Sequence, residues 1–276
     1  MTQPSADNPV LLVGAGKMGG AMLAGWLANG HAGDHFAVVD PMPAPDINAL
    51  LLRHAVPCMA AVPMGIMPSA VIVAVKPQMM ADVLPSLRVL NASRPVFVSI
   101  AAGTAVATFE KVLGSGAAIV RAMPNTPAQV GRGITIGFAN SAVSAVQKAL
   151  VQDLLSVTGV FDWVSEETLI DAVTAVSGSG PAYVFYLVEA MAEAAQAAGI
   201  DADLAMKLAR ATVEGAGELL YLSDLDPAAL RQNVTSPGGT TAAALSVLMD
   251  EKDGLAPLMA RAVAAAKKRA GELGSA

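Results

Sequence analysis

Apolar and polar positions divide the chain into two regimes. Up to about residue 165, short β-branched apolar runs recur at Val10–Val13, Phe36–Val39, Val71–Val75, Val96–Ile100, Ile119–Met123 and Gly133–Phe138. Segments with helical spacing lie between them, among them Met18–Ala28 and Gln78–Leu90. Near-continuous apolar strands separated by helices predict a parallel sheet covered on both faces. Val160–Val164 predicts one more short strand that closes this region. Prolines near 41–45 and 57–68 mark connections, not a domain break.

Beyond Glu166 the strand signals vanish. Ala-rich stretches at Thr168–Val176, Pro181–Ala198, Asp201–Leu222, Thr241–Met249 and Ala256–Leu273 carry helical spacing. Pro181 suits a first helical turn, where its missing N–H costs nothing. Asp201 is a good N-cap after the stop at Gly199. These helices are apolar nearly all round, as expected of helices packed inside a dimer instead of against water. The expected organisation is an α/β domain over residues 1–165 and an all-helical domain over residues 166–276.

Composition sharpens this picture. Of 276 residues, 54% are hydrophobic and only 14% charged, against roughly 25% charged in a typical globular chain. Such a chain buries a large core, and its shortage of charge predicts a homo-oligomer. A mean hydropathy of +0.53 raises the question of a membrane. Two long uncharged stretches, 54–75 and 172–188, are broken by Pro57, Pro63 and Pro68 and by Gly178, Gly180 and Pro181. Neither is the unbroken run of roughly 20 apolar residues that a bilayer requires. Residues Met1–Asp7 hold no basic region, so no secretory leader is expected. The single cysteine, Cys58, has neither a disulfide partner nor a zinc-type companion, and no metal is expected. A net charge of −6 offers no basic footprint for nucleic acid. These features predict a soluble, cytoplasmic protein whose partners are small molecules and further copies of itself.

Candidate chemistry begins at Gly14-Ala15-Gly16-Lys17-Met18-Gly19, a G-x-G-x-x-G run that follows a strand and opens a helix. In that context Gly14 makes a tight turn and Gly16 lets a pyrophosphate approach the backbone. Gly19 then permits close helix–strand packing, and the helix N-terminus faces the anion. Asp40 ends the second strand, 21 residues after Gly19. A carboxylate there accepts from a ribose 2′-hydroxyl and repels a 2′-phosphate, favouring NADH over NADPH, or else it only opens the Asp40-Pro41 turn. Later strand ends carry Val73–Pro77, Ser99–Gly103 and Arg121–Pro127, where ribose and nicotinamide rest in open α/β sheets. Asn125 and Thr126 either bond carboxamide or substrate, or serve a rigid turn between Pro124 and Pro127. Lys76 faces either cofactor phosphate or solvent.

The three histidines, His31, His35 and His54, all lie early in the α/β region. Reducing a ketone calls for a proton donor at the developing alkoxide. A protonated imine already carries its proton, so the absence of histidine from the helical half leans toward a C=N substrate, with Tyr183, Lys207 or water as other donors. Two glycine-rich interruptions lead into helices there, Ser177–Tyr183 and Thr235–Thr241. The second sets four hydroxyls and free backbone N–H groups at a positive helix end, suited to a small carboxylate or to ordinary capping.

Taken together, Gly14–Gly19, Val73–Pro77, Arg121–Pro127, Ser177–Tyr183 and Leu230-Arg231 followed by Val234–Thr241 resemble the pyrroline-5-carboxylate reductase family over nearly the whole chain. That resemblance implies an N-terminal Rossmann domain, a helical dimerisation domain, and reduction of 1-pyrroline-5-carboxylate to proline by NADPH or NADH. It also implies an active site between the cofactor domain of one subunit and the helical domain of its partner, with dimers assembling into decamers. By position, Thr241 is implied to bond the ring nitrogen, and Ser236 with the N–H groups of Gly239 and Thr240 to hold the carboxylate. Lys17, Met18, Val75, Lys76, Pro77, Met123, Pro124 and Asn125 are implied to contact the cofactor. Many relatives carry a small or basic residue and hydroxyls after the second strand, where this chain has Asp40-Pro41-Met42-Pro43. A β-hydroxyacid dehydrogenase shares the two-domain plan but resembles a pattern with a lysine soon after the glycine turn; Pro181–Tyr186 holds none. A dinucleotide-sensing regulator without turnover is the remaining alternative.

Overall fold

The runs Val10–Val13, Phe36–Val39, Ala70–Val73 and Val96–Ser99 become strands with both faces buried. In the computed structural model, which describes residues 4–274, β1 (Val10–Val13), β2 (Phe36–Val39), β3 (Cys58–Met59), β4 (Ala70–Val73), β5 (Val96–Ser99), β6 (Ala118–Met123), β7 (Gly133–Ala139) and β8 (Gly159–Trp163) form one sheet. The first three residues of the amino-terminal stretch and the last two of the helical region lie outside the described residues. The spatial order is β3-β2-β1-β4-β5-β6-β7-β8. Successive residues alternate between faces. Val10 and Leu12 therefore join a core with Met22, Trp26, Phe36 and Leu154 on one side. Leu11 and Val13 join Leu84, Leu87, Phe97 and Phe109 on the other.

The sheet departs from the expected all-parallel arrangement at one ladder. β6 and β7 run antiparallel, with Arg121 opposite Phe138, whereas β7 and β8 are again parallel. A parallel crossover takes a dozen or more residues, and the β6–β7 link, residues 124–132, is too short. The two-residue edge strand β3 falls in a segment expected only to connect.

Helices α1 (Lys17–Ala28), α2 (Pro45–Arg53), α3 (Met80–Val83), α4 (Val106–Leu113) and α5 (Ala145–Ser156) cover the sheet. The helix expected over Gln78–Leu90 is instead a short α3 between two 3-10 segments. Pro85 lacks the N–H that would propagate an α-helix through it. The stretch expected as Thr168–Val176 is split into α6 (Leu169–Val173) and a π turn over Thr174–Gly178. After it come α7 (Gly180–Ala197), α8 (Ala202–Leu222), α9 (Pro227–Asn233), α10 (Thr240–Leu248) and α11 (Leu255–Gly274). Asp201 caps α8 by accepting from the Leu204 N–H at 3.0 Å.

The chain forms two compact units, one through Gly178 that also takes in the chain from Ala266 onward, the other Ser179–Ala265. This division differs from the change of pattern at 165/166. Secondary structure changes there, but α6 stays bound to the sheet by ion pairs from Arg121 to Glu167 and Asp171. The end of α11 lies against Gly103, where an added Cβ would come within 3.3 Å of Leu273. No helix among the described residues is long and apolar enough to cross a membrane.

Candidate active site

The loop after β1 is shaped by its glycines. Gly14 has φ +90°, and a Cβ there would meet the Ala74 oxygen at 3.0 Å. A Cβ on Gly19 would run into the Gly14 carbonyl oxygen. At Gly16 it would meet nothing within 4 Å. Gly14 and Gly19 are thus required by the protein's own packing, whereas Gly16 leaves open space. Gly16 is also the N-cap of α1, with no side-chain cap and no acidic residue in the first turn. The first N–H to bond back is that of Gly20, to the Gly16 oxygen. The N–H groups before it leave a positive helix end for an anion. Lys17 is exposed and Met18 half-buried beside this turn.

Asp40 holds the loop in place. Its Oδ2 accepts from the Ala15 N–H at 2.8 Å, and its Oδ1 from the Met42 N–H at 2.9 Å. The sequence alternative in which Asp40 opens the following turn is therefore realised, together with a clasp on the glycine loop that spacing did not predict. An ionised carboxylate offers about four acceptor positions, so two remain for another donor. Cys58, on neighbouring β3, donates to the Asp40 carbonyl oxygen at 3.8 Å. Burial is the main cause pushing its thiol pKa up, away from reactive thiolate character.

Val75, Lys76 and Pro77 follow β4, and Met123 ends β6 with Pro124 and Asn125 after it, so both segments share the carboxyl end of the sheet with the glycine loop. Strand order reverses between β1 and β4, the crevice where such sheets take ligands. Lys76 and Pro77 are exposed, Val75 is half-buried, and Pro124 is buried. Asn125 uses its Oδ1 to accept from the Ile134 N–H at 2.9 Å. Its carbonyl thus serves the turn into β7.

In the helical unit, α9 ends, the chain turns at Gly238 (φ +68°), and α10 begins. Thr235 Oγ1 donates to the Arg231 oxygen at 2.6 Å, so one of the four hydroxyls closes α9. The Gly239 N–H donates to the Ser236 oxygen at 3.0 Å. That N–H, expected to face a carboxylate, is thus already engaged by the tight turn. Gly239 matters for another reason: a Cβ there would collide with Ser236 Oγ. α10 has Gly239 as its N-cap and no side-chain cap, and the first N–H to bond back is that of Ala243. The N–H groups of Thr240, Thr241 and Ala242 precede it, together with the Ser236, Thr240 and Thr241 hydroxyls. In the other glycine-rich interruption, Ser177 Oγ instead donates to the Val173 oxygen within the π turn.

Sequence reasoning missed the partners of Arg121. Its guanidinium lies 3.2 Å from Glu167 Oε1 and 2.9 Å from Asp171 Oδ1, with its side chain 7% exposed. The available signal was a cation inside the apolar strand Ala118–Met123, which demands buried counter-charge.

Comparison with known proteins adds independent findings. A family model described as pyrroline-5-carboxylate reductase dimerisation matches residues 167–273, and one described as NADP oxidoreductase, coenzyme F420-dependent, matches residues 9–103. The chain is 37% identical over 265 residues to the pyrroline-5-carboxylate reductase of Pseudomonas aeruginosa, covering 96% of each. The solved pyrroline-5-carboxylate reductase of Coxiella burnetii is 35% identical, with a TM-score of 0.89 over 97% of this chain and 98% of that one. The Plasmodium falciparum pyrroline carboxylate reductase, solved with NADP bound, is 28% identical, with a TM-score of 0.78 over 97% and 98%.

Proposed function

The chain belongs to the pyrroline-5-carboxylate reductase family, and from that premise we propose how its own residues carry the reaction. The activity is reduction of 1-pyrroline-5-carboxylate to L-proline, and the nicotinamide cofactor, NADH or NADPH, supplies the hydride to the imine carbon, C2 of the pyrroline ring. The residues fit that cofactor: the uncapped start of α1 suits a pyrophosphate, and Gly16 leaves room for it. Lys17 and Met18 flank the phosphates. Val75, Lys76 and Pro77 with Met123, Pro124 and Asn125 line the ribose and nicotinamide side. Asp40, with acceptor capacity to spare, takes a ribose hydroxyl and tilts preference toward NADH.

The substrate reading is carried by the start of α10, a helix end without a side-chain cap beside three hydroxyls. The N–H groups of Thr240 and Thr241 and the Ser236 hydroxyl hold the substrate carboxylate. Thr241 Oγ1 orients the ring nitrogen. As hydride adds to the imine carbon, the C=N π electrons become the nitrogen lone pair, so a protonated imine needs no further acid. Most of the rate enhancement then comes from holding the imine carbon in a near-attack position.

The chain is a homo-oligomer built through its dimerisation region. As a finer arrangement, the glycine loop of one protomer works with residues 236–241 of its partner, and dimers assemble into a decamer. A cytoplasmic location accords with a chain whose single cysteine forms no disulfide.

Absorbance of the reduced nicotinamide, followed with 1-pyrroline-5-carboxylate added, tests the reading. Thr241→Ala is expected to lower kcat about 10- to 100-fold, on the scale of one misoriented reacting group, and to leave the dinucleotide Kd unchanged. Equal loss of dinucleotide affinity would remove Thr241 from the substrate site. Cofactor binding without oxidation by the parent protein would favour a sensor.

A further inference from the structure

We infer that Arg121 is a positioning residue for the nicotinamide-side loop, acting through its ion-pair triad with Glu167 and Asp171. The inference rests on the cofactor reading above. Alternation along β6 sends Val120 and Ala122 into one core and sets Arg121 and Met123 together on the opposite face. From that face Arg121 reaches α6: one guanidinium nitrogen meets Glu167 Oε1 at 3.2 Å and the other meets Asp171 Oδ1 at 2.9 Å. Met123 reaches the π turn that follows α6, where its Cε would lie 2.6 Å from a Cβ added to Gly178.

The triad pins more than two elements. Glu167 Oε1 also accepts from the Val106 N–H at 2.9 Å. Val106 opens α4, whose N-cap Ala105 supplies no side-chain cap. One carboxylate therefore joins β6, α4 and the segment leading into α6. Buried ion pairs add little stability over apolar groups of the same volume. What a planar guanidinium adds is direction, because its nitrogens hold two carboxylates at fixed angles. The Met123–Asn125 loop begins two residues beyond that fork and contacts the π turn at its first residue. The seating of α6 thus sets where the loop stands relative to the nicotinamide.

The test removes direction without stranding a charge. Arg121→Met combined with Glu167→Gln and Asp171→Asn leaves no unpaired ion, and the amide introduced by Glu167→Gln keeps an oxygen for the Val106 N–H. This variant is expected to melt close to the parent and to keep its Kd for NADH and KM for the pyrroline. Its kcat is expected to fall about 10- to 100-fold, as for a small misplacement remote from the reacting atoms. Arg121→Lys, a point charge that cannot fork, is expected to give an intermediate kcat. Parent-level kcat in either variant overturns the inference, as does a kcat loss matched by equal losses in Kd and melting temperature. If the triple variant does not fold, the kcat and Kd of Arg121→Lys decide by the same criteria. Failure of the parent itself to oxidise NADH with 1-pyrroline-5-carboxylate would instead overturn the functional reading, and this inference with it.

Discussion

The two units use apolar residues in opposite ways. In the α/β unit the strands β1, β2, β4 and β5 are buried at every residue, and Trp26, Phe36, Phe97 and Phe109 are fully buried. In the helical unit, the buried positions of α7 and α8 are only Ala192, Ala205 and Ala209. Phe185, Tyr186, Leu219 and Leu222 on the same helices are 64%, 68%, 63% and 71% exposed in the single chain. The first unit closes its core by itself. The second presents a surface too apolar for water, consistent with the dimerisation model that covers it. Similar hydropathy therefore has two destinations: strands send alternate residues to two internal cores, and α7 and α8 leave large apolar side chains exposed in the single chain.

The largest test of this contrast lies inside the α/β unit. Trp26 stacks on Phe36 with ring centroids 4.9 Å apart and donates its indole N–H to the Leu154 oxygen at 2.7 Å. Trp26→Ala leaves a cavity and an unpaired carbonyl, and is expected to cost about 3–5 kcal/mol of unfolding free energy. Chemical denaturation measures that loss. Sedimentation at concentrations where the protein remains folded should show an unchanged oligomer, since nothing in the helical surface has been altered. A dissociated but folded variant would contradict the independence of the first core.

The converse substitution is Phe185→Asp. It sets a charge in the exposed apolar face of α7 and touches no residue of either internal core. Aromatic anchors at interfaces contribute about 2 kcal/mol or more, so the dimer Kd should rise roughly 30-fold or more. Sedimentation velocity across a dilution series reads this directly. An oligomer as tight as the parent would place Phe185 outside the interface and require another cover for that face.

Much of this contrast was legible in the sequence because hydropathy period and burial are directly linked. The strands β1 and β2 fall where their apolar runs begin and end, and Asp201 caps α8 as its position suggested. The antiparallel β7, the split of α3 and the π turn were not legible. They depend on link length, on Pro85 and on what α6 docks against. At the site, the glycine loop could be read because a positive φ and a close approach admit few residue types. The Arg121 triad could not, since its partners lie 46 and 50 residues away. Nor could the turn that engages the Gly239 N–H, because Ser and Thr residues at a helix start do not reveal which N–H groups the backbone itself has already engaged.

The smallest expected effect concerns the two helix starts, one in each unit. α10 opens beside hydroxyls, whereas α1 opens beside a carboxylate that already binds its loop, so Asp40 carries two loads that substitution can separate. Asp40→Asn keeps one oxygen for the Ala15 N–H but removes the charge. It is expected to lower the ratio of NADH to NADPH in kcat/KM by about 10-fold, the scale of one charged hydrogen bond of roughly 1.5 kcal/mol. Asp40→Ala also releases the Ala15 N–H, and the KM for both cofactors is expected to rise while the ratio stays near that of Asp40→Asn. Steady-state rates with each cofactor, and binding of each by fluorescence, distinguish the two loads. If the ratio is that of the parent in both variants while KM rises in Asp40→Ala, then Asp40 is a clasp on the glycine loop alone. The helix end would then select its anion without any help from the second strand.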